Sequence, residues 1–96
     1  MKLIHITFHF EYTETIEGIL DCHGVADFVR YPMMEGKDCD GKHFGTQVYP
    51  GSTSVVQAQV PEETVEAVFA SLREFKEAKA TRRHLEAVVL PVERKL

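Results

Sequence analysis

Five histidines, two cysteines and fifteen acidic side chains are the groups through which this 96-residue chain could do chemistry, and their spacing decides how much. His5 and His9 fall on one face of an alternating segment, four residues and so about 13 Å apart, too far for one metal ion within a single chain. Three copies meeting on an axis along that face would bring either histidine into the three-nitrogen set that zinc accepts, with one position left for water. The other reading is a pair of hydrogen-bonded interface histidines. Cys39 and His43 are spaced C-x-x-x-H among Glu35, Asp38 and Asp40, which suits a soft divalent metal, or else belongs to a plain polar loop. The fragment Asp38-x-Asp40-Gly41 lacks the other spaced ligands and the closing glutamate of an EF-hand.

Cys22 and His23 are adjacent, and neighbouring side chains at a helix end diverge, so they do not form a nucleophile and its base. Cys22 reads instead as a small buried hydrophobe. No nucleophile-elbow, Walker, dinucleotide-binding or HExxH string occurs, and the carboxylates fall on helix surfaces or in a loop. No catalytic constellation assembles, and the chain is not expected to be an enzyme.

These groups are carried by elements that the polarity pattern lays out in order. Ile4, Ile6, Phe8 and Phe10 alternate with Leu3, His5, Thr7 and His9, the period of a strand. From Thr13, a candidate N-cap, Ile16, Ile19 and Leu20 follow helical spacing, with Glu14 and Glu17 early and Gly24 placed to end the element. Residues 25–31 alternate again and run into Pro32, which removes a ladder donor. Residues 33–44 hold glycines, aspartates and lysines without periodicity and predict an exposed, mobile loop, about 32–51 in all; loops this long are often functional.

A third strand is predicted over 52–60, with Ser54, Val56, Ala58 and Val60 on one side and Val55, Gln57 and Gln59 on the other. Pro61-Glu62-Glu63 then opens an amphipathic helix whose Val65, Val68, Phe69, Leu72 and Phe75 form one stripe and whose charge runs from acidic to basic. The β-branched run in 85–92, stopped by Pro91, predicts a last strand. Strand, helix, strand, loop, strand, helix, strand is the order of the α+β, ferredoxin-like βαββαβ unit, an antiparallel sheet with two helices on one face. Ninety-six residues allow one such domain, 1–96.

The net charge of −4 and a pI near 5.7 oppose a broad nucleic-acid footprint, and the local cluster of Lys79, Arg82 and Arg83 reads as the basic cap of a helix C-terminus. Two unpatterned cysteines predict reduced thiols, and the alternating start is neither a signal peptide nor a spanning segment, so a cytoplasmic protein without membrane insertion is expected.

Four strings in this layout, the second and third of them consecutive, resemble the PII-like signalling proteins, and more distantly the CutA proteins of the same superfamily. Ile19-Leu20-Asp21-Cys22-His23-Gly24-Val25 resembles the family's first helix end, and Val48-Tyr49-Pro50-Gly51 the close of its long loop. Residues 56–63 and 85–92 resemble its third strand with second helix, and its closing strand. The resemblance implies a homotrimer with sheets inward, a small molecule or ion bound at a subunit cleft, and a loop that signals to a partner transporter or enzyme. It points to Lys42, Phe44, Gly45, Tyr49, Gly51 and Arg82 as ligand-binding residues. The CutA-like alternative is a divalent-metal-binding or tolerance protein using Cys39, His43, His5 or His9. Nucleotide-binding members carry a glycine-rich basic phosphate loop after the second helix, whereas Ala78-Lys79-Ala80-Thr81-Arg82-Arg83-His84 has no glycine and cannot readily form an amide cradle. This argues against ATP or ADP binding of the usual kind and leaves the cofactor unidentified, with a divalent metal, another non-nucleotide ligand or no ligand as the alternatives.

Overall fold

The computed structural model describes residues 1–34, 36–38, 41–43 and 53–96, and for 33, 34, 36–38 and 41–43 the backbone alone. Strand β1 (Lys2–His9) leads through a 3-10 turn (Phe10–Tyr12) into helix α1 (Thr13–Cys22), then β2 (Phe28–Met34) and a short pair, β3 (Gly36–Asp38) and β4 (Gly41–His43). Strand β5 (Thr53–Val60), helix α2 (Glu62–Glu77), a second 3-10 turn (Ala80–Arg82) and β6 (Glu86–Pro91) complete the order. The four long strands form one antiparallel sheet in the order β2-β5-β1-β6. Because β5 lies between β1 and β2, the first β-α-β unit is split, which is the ferredoxin-like α+β arrangement.

Alternation in β1 and β5 sets the two faces of this sheet. Ile4, Ile6 and Phe8 of β1 and Val56, Ala58 and Val60 of β5 are buried, and they join Ile16 and Leu20 of α1 with Val68 and Leu72 of α2 in one core. The partners across the register, such as Ile6 with Val56 and Ile4 with Ala58, share that face. Both helices cover it, while Leu3, His5, Thr7, Val55 and Gln57 turn to the other.

The end of α1 is fixed by Gly24, whose φ of +76° is one that side chains with a Cβ rarely adopt. There the Val25 amide donates to the Leu20 carbonyl at 2.9 Å and the Gly24 amide to Asp21 at 3.0 Å, closing the helix as a Schellman-type cap. Val25 therefore belongs to this cap and the core, not to the second strand, which begins only at Phe28. Arg30 projects from β2 and donates to both carboxylate oxygens of Glu17, at 2.5 and 2.9 Å, strapping the strand to α1. The hydrogen bonds and charge of Glu17 hold the guanidinium above its ordinary pKa.

Four further local expectations are corrected. Pro32 lies inside β2 instead of ending it: β2 is an edge strand, and its register with β5 shifts between Tyr31 and Met34, where a missing donor is tolerated. Among the described residues of 33–44, β3 and β4 pair antiparallel with Lys37 opposite Lys42, a regular element the lack of periodicity did not predict. Three-residue strands with glycine and like charges show no alternation, so the sequence pattern does not reveal them. Thr13 is the first helical residue, and its hydroxyl donates to the Phe10 carbonyl at 2.6 Å in place of capping the helix. Cys22 is exposed, because the apolar stripe of α1 turns through Ile16 and Leu20 and leaves position 22 outside it.

Ile6→Ala removes a fully buried side chain and is expected to cost about 2–5 kcal/mol in urea unfolding. Gly24→Ala, with open space around it, is expected to cost about 1–2 kcal/mol from the positive φ alone.

Candidate functional site

The fold gathers several of the charged and aromatic groups at one end of the sheet. His9 ends β1 opposite Thr53, Met34 of β2 meets the same Thr53, and β6 begins with Glu86 opposite Thr7. Helix α2 starts just past Val60 and runs back alongside the sheet, so its C-terminus and the following turn reach this end too. Segment 35–52 leaves and re-enters the sheet here, between Met34 and Thr53.

Within this end, aromatic rings and one guanidinium form a connected stack. Tyr12 meets Phe75 edge-on at 5.4 Å, and His9 lies 6.0 Å from Tyr12 and 4.9 Å from Phe10. Arg82 places its guanidinium 3.7 Å from the Phe75 ring centre and 5.6 Å from that of Tyr12. It also donates from Nη1 to the Phe75 carbonyl at 3.0 Å, satisfying an acceptor in the last turn of α2. Its Nε is shielded from solvent and meets no hydrogen-bond acceptor among the described residues; the flat guanidinium faces an aromatic ring instead. The basic-cap reading of this turn is thus realised in Arg82, which links the 3-10 turn after β1, the end of α2 and the approach to β6.

The sequence-derived candidates separate into three groups. Phe44, Gly45, Tyr49, Gly51 and Cys39 lie outside the described residues, and of Lys42 and His43 only the backbone in β4 is given. His5 sits on the uncovered face, where its Nδ1 is 3.0 Å from Gln57 Nε2. His9 accepts from the Glu11 amide at 3.3 Å and stands 3.5 Å from that residue's carboxylate. Among the described residues no three histidine, cysteine or acidic side chains cluster as a metal site would require, nor is any helix long and apolar enough to cross a membrane. The stacking partners Tyr12 and Phe75 were not singled out as functional; the one signal for them is that an aromatic falls two residues past the first strand and another at the basic end of the second helix.

A recess of about 410 Å3 opens at the opposite end, lined among others by Leu3, Val29, Gln57, Gln59 and Lys95. It lies on the uncovered face, which also presents Val29, Tyr31, Val88 and Leu90, each 41–53% exposed. Two exposed apolar residues on each edge strand are more than scattered surface residues.

No protein-family model matches the chain, and no curated protein matches it. Solved structures do. CPII, a nitrogen regulatory PII-like protein from Thiomonas intermedia K12 bound to ADP, AMP and bicarbonate, superposes with a TM-score of 0.75 at 23% identity, over 97% of this chain and 88% of that one. Its apo form gives 0.66 at 22% identity, over 94% and 92%. A candidate PII-like signalling protein from Thermus thermophilus gives 0.69 at 15% identity, over 93% and 83%.

This finding corrects the cofactor expectation, which set ATP or ADP of the usual kind aside and kept a divalent metal among the alternatives. A neighbour of the same fold was crystallised with ADP, AMP and bicarbonate, so the argument from a missing glycine does not carry. Backbone amides are one way to hold phosphate; guanidinium and ammonium groups are another, and the connection after α2 is supplied with Lys79, Arg82 and Arg83.

Arg82→Lys keeps the charge but removes the planar group that stacks on Phe75. It is expected to lower stability by about 1–2 kcal/mol, read as a shift in the urea midpoint with an unchanged far-UV spectrum.

Proposed function

The chain has the PII-like fold, and we propose from it that this protein is a ligand-sensing regulator, not an enzyme, that binds an adenine nucleotide together with bicarbonate. The observation that carries this reading is the likeness to CPII over 97% of the chain. In this reading residues 1–96 form a single domain that acts in the cytoplasm. The ligand sits at a subunit cleft, at the end of the sheet where segment 35–52 departs and where Lys79, Arg82 and Arg83 lie. Lys42, Phe44, Gly45, Tyr49 and Gly51 contribute from the loop, and Arg82 supports the phosphates from the α2–β6 side. Ligand binding biases the arrangement of the loop, and a partner transporter or enzyme reads that arrangement.

The uncovered sheet face supports a homotrimer with sheets inward. Its apolar residues sit on both flanks, Val29 and Tyr31 on β2, Val88 and Leu90 on β6, so each copy offers two apolar margins and a closed ring covers all of them. A small core also gains from association.

Calorimetry and thermal unfolding with ADP, AMP and bicarbonate, singly and combined, test the ligand assignment. A ligand at 100 times its Kd should stabilise the protein by about 2.7 kcal/mol; no response to any nucleotide, with or without bicarbonate, would sink the assignment. Light scattering should give about three times the 10.9 kDa chain mass, and Val88→Lys with Tyr31→Lys should lower it toward the monomer.

A further inference from the structure

On the helix side, α2 carries a stripe of which the core takes up Leu72 and part of Phe69 but not the charged end. Phe69, Leu72, Arg73 and Lys76 recur at i, i+3, i+4 and i+7, which places them along one flank of the helix. The flank begins apolar and ends in two cations. It overlooks β6, an edge strand, and together with Leu85 and Ala87 it bounds a groove of about 320 Å3. The groove exists because two helices must roof four strands, and because β6 places a small side chain, Ala87, opposite Ile6 where a larger one would fill the space.

The floor and the rim of this groove differ in character. Leu72 and Leu85 are buried beneath it, and Phe69 and Ala87 pack partly against the core. Arg73 and Lys76 stand over them, with Glu77 the one acid in the lining. Neither cation is engaged in an ion pair or hydrogen bond among the described residues. In a chain of net charge −4, a locally cationic rim over an apolar floor is selective: it attracts acidic surfaces that the rest of the protein repels. The i to i+7 stripe extends about 10.5 Å along the axis, the span of two turns of an apposed helix.

We propose that this groove docks an acidic amphipathic helix of a partner protein. Leucine-type side chains on that helix enter between Phe69 and Ala87, while its carboxylates meet Arg73 and Lys76, the helix-in-groove mode of recognition. The groove is on the side of the sheet opposite Val29, Tyr31, Val88 and Leu90. It does not depend on the nucleotide reading.

The test uses the full chain and a labelled 16-residue helical peptide with leucines at i, i+3 and i+7 and glutamates on its flanks, against the same peptide with lysines for the glutamates. By fluorescence anisotropy the acidic peptide should bind at least tenfold more tightly than the basic one, and less tightly as salt rises from 50 to 500 mM. Arg73→Glu with Lys76→Glu should reverse the preference, and amide shifts on binding should centre on Leu85 and Ala87. Absence of binding at millimolar acidic peptide, equal binding of the two peptides, salt-insensitive binding, or shifts centred on the opposite sheet face would each overturn the proposal.

Discussion

The constraint on which the rest depends is the pairing of β1 with β5, eight residues against eight with every buried side chain on the same face. A one-residue slip in that register would turn Ile4, Ile6 and Phe8 outward and destroy the seat of both helices. Once it is set, the connections decide everything else. Helices α1 and α2 each follow one of the two strands and pack back onto the apolar face, β2 and β6 take the flanks, and the second face has nothing among the described residues to cover it. The end where β1 finishes and β5 begins collects the turns, the C-terminus of α2 and the departing loop as a matter of topology.

That much was legible in the sequence because strong periodicities encode it. The alternation of Ile4, Ile6 and Phe8, that of Ser54, Val56, Ala58 and Val60, and the stripe of Val68 and Leu72 all match the core. Gly24 announced the end of α1 because its φ is one that other residues avoid. What was misread were places where tertiary position overrides local chemistry. Pro32 stops a central strand but is accommodated on an edge, and β3 and β4 are held by pairing between residues that have no strand pattern of their own.

The candidate site was less legible than the fold, for a physical reason. Phosphate can be met by a glycine-lined backbone cradle, which leaves a string, or by basic side chains, which leave only composition. The connection after α2 has no glycine, and its Lys79, Arg82 and Arg83 are equally accounted for as the basic cap of a helix C-terminus. Arg82 also takes part in the fold itself, its guanidinium meeting both the ring and the carbonyl of Phe75. Such a stack joins residues 12, 75 and 82, which no sequence window of ordinary length brings together.

The two outer strands share one trait whose effect reaches beyond the single molecule. Each contains a proline, Pro32 within β2 and Pro91 at the last position of β6, and each therefore lacks one amide donor. An exposed strand with an unbroken row is a template onto which further chains can add without end, the first step toward cross-β fibres. With a donor missing from each border, and Arg30 charged within β2, the sheet resists open-ended growth through its backbone.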